Sequence, residues 1–167
     1  MPKYKALPPL EELQKEFNYD PETGLFTHAY YKCGRALKDA VAGTSDAKGY
    51  TVIRYKNTQS YLANRLAWLF ITGEDPGDNI VDHEDRDKSN NRASNLRLAD
   101  DNKNQWNRKA RGWSKRGKKY QVIIGHYGKQ IYLGMFSTAE EAEAAYRDKA
   151  VELRGEFAPQ AWRQGSA

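Results

Sequence analysis

Residues 81–104 read VDHEDRDKSNNRASNLRLADDNKN, and this stretch decides how the rest of the chain is interpreted. It begins with the adjacent pair Asp82 and His83, and Asn95 and Asn104 follow twelve and twenty-one residues after the histidine. A carboxylate that holds a hard divalent cation, a neighbouring base and an amide that orients the base are the groups needed to hydrolyse a phosphodiester. A simpler interpretation is that the pair ends a strand and the asparagines cap turns. The ordered spacing of all four residues favours the chemical interpretation.

Each of these side chains has a distinct expected role. His83 is the candidate general base, because an imidazole ordinarily titrates near neutral pH. Asp82 offers a hard oxygen ligand suited to Mg²⁺ or Mn²⁺, and Asn104 offers a neutral oxygen. Asn95 is expected to accept the ring proton of His83 and so fix the tautomer of the base.

The pattern around this stretch predicts a strand, a loop, a second strand and a helix. The strands are expected at Ile80–His83 and Asn95–Ala99, with a polar loop at Glu84–Ser94 between them. Asp100 or Asp101 caps a helix that runs to about Arg108. Such a hairpin would direct Asp82 and His83 at the first turn of that helix.

Composition limits the classes of protein to consider. With 167 residues, 39% of them hydrophobic and 29% charged, the chain is expected to fold as a soluble globular protein of one or two small domains. No apolar run is long enough to cross a membrane, and the N-terminal residues lack the apolar core of a secretory signal. The single cysteine, Cys33, fits a reducing cytoplasm and excludes a multi-cysteine zinc site.

A basic block indicates the partner. Residues 102–139 contain nine Lys or Arg and no Asp or Glu, with tryptophan and tyrosine between them. A stretch this one-sided favours a polyanion such as nucleic acid over an ordinary solvated surface.

The rest of the first 109 residues predicts a mixture of helices and strands. We expect a short helix at about Pro9–Phe17, a strand after Gly24, a hairpin formed by Tyr50–Tyr55 and Ser60–Leu62, and a helix at Ala63–Gly73.

A second unit is predicted after the basic helix. Three short strands are joined by turns at Arg116–Lys118 and Tyr127–Lys129. An amphipathic helix follows, capped by Thr138 and ended by Gly155. The predicted fold class is α+β, with domains at 1–109 and 110–167.

The first domain resembles the HNH homing endonucleases of phage type, which are ββα-metal (His-Me finger) nucleases. The matching segments are YDPETGLF, GYTVIRY, NRLAW, DH, NNR and NLRLA, within about Tyr19–Lys109. The resemblance implies that His83 is the general base, that Asp82 and Asn104 hold one Mg²⁺ or Mn²⁺ per site, and that Asn95 orients His83. Similar proteins often carry a histidine where this chain has Asn64, so we assign Asn64 no catalytic role.

The second domain resembles the DNA-binding domain of the Apetala/ethylene-response-factor type, over about Arg111–Pro159. The resemblance implies a three-stranded antiparallel sheet in the DNA major groove, with one helix packed behind it. Strand alternation places Tyr120, Val122 and Ile124 towards the helix. The expected DNA-contacting residues of both domains are Arg86, Lys88, Arg92, Arg97, Arg108, Lys109, Arg111, Ser114, Lys115, Arg116, Lys118, Gln121, Gln130 and Tyr132.

Together these features predict a metal-dependent DNA endonuclease that nicks double-stranded DNA and binds its target through the C-terminal domain. A monomer in the cytoplasm is expected, which would be the bacterial host cytoplasm if a phage encodes the chain. One alternative is a non-catalytic DNA-binding regulator with a vestigial nuclease domain. Another is a nuclease that acts on branched DNA or RNA.

Overall fold

The computed structural model describes residues 3–30, 37–56, 58–107 and 110–163. The chain divides into two compact units, Met1–Ala99 and Asp100–Ala167, and both mix helices with antiparallel strands. The α+β class is therefore confirmed. The domain boundary predicted at 109/110 stays a prediction, and residues 108 and 109 lie outside the described residues.

In its described residues, the first unit contains two α-helices and seven strands. In chain order they are α1 (Leu10–Gln14), β1 (Phe17–Asp20), β2 (Leu25–His28), β3 (Thr44–Ser45), β4 (Thr51–Tyr55), β5 (Gln59–Leu62), α2 (Ala63–Thr72), β6 (Ile80–His83) and β7 (Leu96–Ala99). The strands form an antiparallel hairpin of β1 and β2, a sheet of order β3-β4-β5, and a hairpin of β6 and β7.

The helix α2 is the centre of the first unit's core. Leu66 and Ala67 are fully buried, and they belong to one apolar cluster with Ile53 of β4 and Val81 of β6. The helix ends as predicted at Gly73, whose φ of +78° suits a residue without a side chain. Because α2 contacts β4, β5 and β6, it fixes the position of the strand that carries Asp82 and His83.

The hairpin of β6 and β7 matches the prediction closely. β6 spans the predicted residues, and β7 begins one residue late because residues 93–95 form a 3₁₀ turn. The register pairs Asp82 with Arg97 and His83 with Leu96. Three of the four β6 residues are buried, including both polar ones.

The second unit contains α3 (Asp101–Trp106), β8 (Trp113–Arg116), β9 (Lys119–His126), β10 (Lys129–Phe136), α4 (Ala139–Arg154) and α5 (Gln160–Arg163). The strands form an antiparallel sheet of order β10-β9-β8, and α4 packs against it. Val122 and Ile124 of β9 are fully buried against Ala142 and Ala150 of α4. The predicted three-stranded sheet backed by one helix is therefore present.

Helix ends in the second unit follow from capping groups. The Thr138 side chain accepts a hydrogen bond from the Glu141 amide, and the Glu141 carboxylate accepts one from the Thr138 amide, which forms a capping box. Asp100 caps α3 by accepting from the Lys103 amide at 2.8 Å. Helix α3 ends at Trp106, two residues before the predicted end.

Two predictions about the N-terminal segment need correction. Helix α1 ends at Gln14, so the prediction of helix up to Phe17 is wrong there, and Phe17 begins β1. No strand was predicted before Pro21, but Asn18–Asp20 belong to a strand that pairs with β2. Phe17 is 2% exposed and belongs to the apolar core of the first unit, which gives this strand its stability.

Candidate active site

Asp82 and Arg97 form a nearly buried ion pair across the β6–β7 hairpin. The Arg97 Nη2 and Nε atoms lie 3.0 and 3.2 Å from the Asp82 Oδ2 atom. The Asp82 side chain is 8% exposed, and the Arg97 side chain is 12% exposed. The pairing follows from strand register, because the two residues are direct cross-strand partners. Arg97, predicted to contact DNA phosphates, therefore supplies the countercharge of the predicted metal ligand in this structure.

His83 is buried, and its ring contacts Asn91. The His83 Nε2 atom lies 3.1 Å from the Asn91 Oδ1 atom. The Asn91 Nδ2 atom donates to the Ser89 carbonyl at 3.1 Å, which leaves its Oδ1 atom as an acceptor. The proton of a neutral His83 ring therefore belongs on Nε2, and Nδ1 is the basic nitrogen.

Burial also keeps the His83 ring in its basic form. Desolvation lowers the pKa of His83 below its usual value of 6.5. The hydrogen bond that the ring donates to Asn91 and the carboxylates of Asp82, Asp85 and Asp87 oppose this shift without reversing it. A histidine that is neutral at pH 7 has the protonation state of a general base.

The structure corrects the role predicted for Asn95. Its Oδ1 atom accepts from the Asp85 amide at 3.0 Å, and its Nδ2 atom donates to Asp85 Oδ1 at 3.0 Å and to the Asn90 carbonyl at 2.7 Å. All three bonds hold the loop between β6 and β7, whereas Asn91 makes the ring contact that was predicted for Asn95. The physical reason is that both donor and acceptor of the Asn95 amide are used by the loop.

The loop is stabilised by its own acidic side chains. Asp85 also accepts from the Asp87 amide and from Asn90 Nδ2, at 2.8 and 2.6 Å. Asp87 accepts from both the amide and the hydroxyl of Ser89, which lowers the pKa of Asp87. These bonds hold the loop between β6 and β7 in one conformation.

Asn64 is a structural residue beside the site. It is 4% exposed, and its Nδ2 atom donates to the Val81 carbonyl at 2.8 Å. Its Oδ1 atom accepts from the Arg65 amide. Asn64 thereby fixes α2 to the residue that precedes Asp82, in agreement with the absence of a predicted catalytic role.

Asn104 lies in the second unit and is the fourth of the six residues of α3. Its side chain is half-buried, and its amide donates to the Asp100 carbonyl at 3.0 Å. The ligand pair of Asp82 and Asn104 therefore rests on their sequence spacing and stays a prediction.

The chemistry of the donor set fits a hard divalent cation. Within residues 3–30, 37–56, 58–107 and 110–163, no three His, Cys, Asp or Glu side chains form a group that could hold a metal ion. The predicted site needs no such group, because it combines one carboxylate with one amide and leaves other positions to water and phosphate. A carboxylate as buried as that of Asp82 suits this type of site.

The predicted DNA contacts of the first unit mostly have protein partners. Lys88 Nζ donates to the Lys48 carbonyl at 2.9 Å and lies 4.6 Å from the centre of the Tyr50 ring. Arg92 Nε donates to the Glu22 carbonyl at 2.8 Å. Arg86 is exposed with a φ of +70°. These roles in DNA binding stay predictions.

The outer face of the second unit's sheet contains most of the other predicted DNA contacts. Cross-strand pairs put Ser114 beside Gln121, Ile123 beside Tyr132, and Gly125 beside Gln130. Tyr132 is 57% exposed, whereas Val122 and Ile124 on the opposite face are fully buried. The predicted facing of Val122 and Ile124 is therefore confirmed.

The four described basic residues of this unit that were predicted to contact DNA have different surroundings. The Arg116 Nε atom donates to Gln121 Oε1 at 3.2 Å, and Lys118 is exposed in the β8–β9 turn. Arg111 places its guanidinium 4.6 Å from the centre of the Trp113 ring. Lys115 pairs with Tyr120 and so belongs to the helix-side face of the edge strand, although its side chain is exposed. The remaining two predicted contacts, Arg108 and Lys109, lie outside the described residues.

His126 has a structural role within the second unit. Its ring stacks on Trp106 of α3 with centroids 4.7 Å apart. Tyr127 packs edge-on against the same Trp106 ring at 4.9 Å. Trp106 is consequently 8% exposed, which ties α3 to the β9–β10 turn.

Comparison with known proteins finds a family whose sequence pattern includes the residues of the candidate site. Residues 61–106 match the family described as HNH endonuclease, and this range contains Asp82, His83, Asn95 and Asn104. An uncharacterised HNH endonuclease of Acanthamoeba polyphaga mimivirus is 37% identical over 115 residues, which cover 66% of this chain and 61% of the relative. The chain thus spans less than two thirds of that relative's length. No solved structure matches the chain.

Among the described residues, no helix has both the length and the apolar character required to traverse a lipid bilayer.

Proposed function

We propose that this protein is a metal-dependent endonuclease that hydrolyses phosphodiester bonds of double-stranded DNA. The observation that carries the proposal is the buried His83, whose Nε2 atom is bonded to Asn91 and whose Nδ1 atom is therefore the basic nitrogen of the ring. The match of residues 61–106 to HNH endonucleases supports the same chemistry.

In the proposed reaction, His83 accepts a proton from the attacking water at Nδ1. Burial favours this, since the ring is neutral at pH 7 and ready to accept a proton. Asp82 and Asn104 would hold Mg²⁺ or Mn²⁺, which when bound supplies charge stabilisation at the scissile phosphate. Before this transfer, Asn91 accepts the Nε2 proton of the ring, which leaves Nδ1 unprotonated and able to act as the base.

The second unit is proposed to bind the target. Its outer face combines exposed Tyr132 and Ile123 with neighbouring amides, and Arg116 and Lys118 lie at its border. Such a surface supports contact with a nucleic-acid backbone, as the resemblance to Apetala/ethylene-response-factor domains implies. The few cations on the strands favour positioning through phosphates over extensive reading of bases.

The finer parts of the proposal concern the biological setting. A single small site favours nicking of one strand by a monomer, and the resemblance to phage-type homing endonucleases favours a mobile element in a bacterial host cytoplasm. The viral origin of the mimivirus relative is compatible with this setting. Sequencing of the cut ends in a phage genomic library would test target choice and nicking together.

Relaxation of a supercoiled plasmid in Mg²⁺ tests the proposed reaction. Replacing His83 with alanine removes the base and should slow relaxation by roughly 10²–10⁴-fold. A control substitution is Glu143→Ala, since Glu143 is exposed on α4 and has no predicted role in the site. Equal relaxation by the wild type and His83→Ala would contradict the assignment.

Two further outcomes distinguish the alternatives. A wild-type protein that binds duplex DNA but leaves the plasmid supercoiled in Mg²⁺ and in Mn²⁺ would be a DNA-binding regulator. Competition between linear duplex, branched DNA and RNA would identify a structure-specific nuclease, which should prefer one of the last two substrates.

A further inference from the structure

We infer that the N-terminal β1–β2 hairpin is a positioning element for the catalytic histidine, and that it acts by holding Asn91. This inference rests on the proposed role of His83 as general base. The hairpin covers residues 17–28 and so lies outside the segment that matches HNH endonucleases. Tyr19 and Gly24 are its positioning residues.

Asn91 is the link between the hairpin and the ring. It is 2% exposed, and its amide joins His83 Nε2 to the Ser89 carbonyl. A shift of the Asn91 backbone would therefore move the acceptor that defines the tautomer and orientation of His83. The orientation of His83 therefore depends on the groups that hold the Asn91 backbone in place.

Tyr19 supplies one of these groups. Its hydroxyl donates to the Asn91 carbonyl at 2.8 Å, although the two residues are far apart in sequence. The Tyr19 ring packs against Phe26 and Phe70 with centroids 4.8 and 6.0 Å away, which fixes the direction of the hydroxyl. Burial raises the pKa of Tyr19 to about 12, so the hydroxyl remains a donor at neutral pH.

Gly24 supplies the second constraint through close packing. A Cβ atom at this position would lie 2.5 Å from both the Asn91 carbonyl carbon and the Arg92 amide nitrogen. Gly24 also has a φ of +73°, which disfavours any other residue. The peptide between Asn91 and Arg92 therefore rests directly on the β1–β2 turn.

Further hydrogen bonds fix the turn to the loop. The Ala93 amide donates to the Pro21 carbonyl at 3.0 Å, and Arg92 Nε donates to the Glu22 carbonyl at 2.8 Å. Asp20 keeps the turn rigid by accepting from the Glu22 amide and the Thr23 hydroxyl. The chain on both sides of Asn91 is thus held by one hairpin, whose Phe17 and Phe26 belong to the core of the same unit.

The tautomer of His83 is the direct readout. Nitrogen chemical shifts of the imidazole, measured on metal-free full-length protein at a pH where the ring is neutral, report which nitrogen carries the proton. The wild type should show the Nε2-protonated form. Asn91→Leu should give a mixture of tautomers, whereas Asn91→Asp, which retains an acceptor, should restore the wild-type form.

Variants of the hairpin test whether the β1–β2 turn determines the tautomer of His83. Tyr19→Phe removes only the hydroxyl, and Gly24→Ala displaces the peptide of Asn91; both should alter the His83 signals. The matched controls are Tyr30→Phe, which removes a hydroxyl bond to Glu16 at the opposite end of the hairpin, and Gly73→Ala, whose φ of +78° is similar but whose surroundings are open. The controls should leave the signals unchanged.

Cleavage kinetics provide the second readout. A misplaced base should lower kcat by roughly tenfold or more in Tyr19→Phe, with KM within about twofold of the wild type. Unchanged His83 signals and unchanged kcat in both Tyr19→Phe and Gly24→Ala would overturn the inference. If the wild type does not cleave DNA, the proposed function fails, and the tautomer measurement alone decides whether the hairpin positions His83.

Discussion

Removing the Arg97 guanidinium should destabilise the metal-free protein and make its stability depend on divalent cations. Arg97→Met keeps most of the side-chain volume but takes away the countercharge of Asp82, whose side chain is 8% exposed. Breaking a buried ion pair from one side costs about 3–5 kcal/mol. We expect a loss of about 3 kcal/mol in the free energy of unfolding, measured by urea denaturation in EDTA.

The same experiment with added cation tests Asp82 as a ligand. At a cation concentration of about 100 times Kd, binding to the folded state alone adds about 2.7 kcal/mol. In Arg97→Met the cation no longer competes with a guanidinium for Asp82, so Mg²⁺ or Mn²⁺ should stabilise this variant more than the wild type. The double variant Asp82→Asn, Arg97→Met should regain much of the lost stability in EDTA and lose the response to cation.

Arg86→Met is the control for a lost surface charge, since Arg86 is exposed on the same loop, and its effect should stay within about 0.5 kcal/mol. The reasoning is refuted if Arg97→Met is as stable as the wild type in EDTA. It is also refuted if the cation response survives in the double variant.

Three other predictions concern the second unit. Tyr132→Ala should weaken duplex binding roughly fivefold, for a contact of about 1 kcal/mol, without changing Tm; equal affinity in a fluorescence titration would remove this residue from the interface. Lys118→Gln should lower the slope of log Kd against log salt by about 1, and an unaltered slope would mean that Lys118 contacts no phosphate. Thr138→Ala disrupts the capping box of α4 and should cost about 1 kcal/mol in urea denaturation, whereas no loss would show that the cap is dispensable.

The strand that carries the site was predictable because strong local signals agree there. Ile80–His83 lies between the turn residues that precede it and a polar loop, and the observed strand has the predicted bounds. Helix α2 was equally clear, because its apolar residues follow helical spacing and Gly73 ends it. The outward and inward faces of β9 followed from simple alternation.

The partner of the His83 ring could not be chosen from spacing. Asn90, Asn91 and Asn95 all lie in or beside the loop, and each could reach a neighbouring side chain. The loop's path depends on Asp85 and on the positive φ of Arg86, which are properties of the folded state. The adjacent asparagines in NNR were the available signal for Asn91, but sequence alone does not tell which amide reaches the histidine.

Long-range contacts were also hidden from the sequence. Tyr19 and Asn91 are joined by a hydrogen bond across most of the first unit. The strand β1 was missed because the Asp-Pro and Thr-Gly signals indicate a turn, which is present, but do not reveal that a strand precedes it. The ion pair of Arg97 with Asp82 depends on the register of β6 and β7. The predicted bounds of the two strands left this register open by one residue, so the sequence did not identify the pair.

Chemical rescue of a His83→Gly variant tests most directly whether this imidazole is the base. The account predicts that His83→Gly relaxes a supercoiled plasmid in Mg²⁺ at least about a hundredfold more slowly than the wild type, and that added imidazole restores part of the rate to this variant alone. Relaxation by His83→Gly at the wild-type rate, without imidazole, would contradict the account.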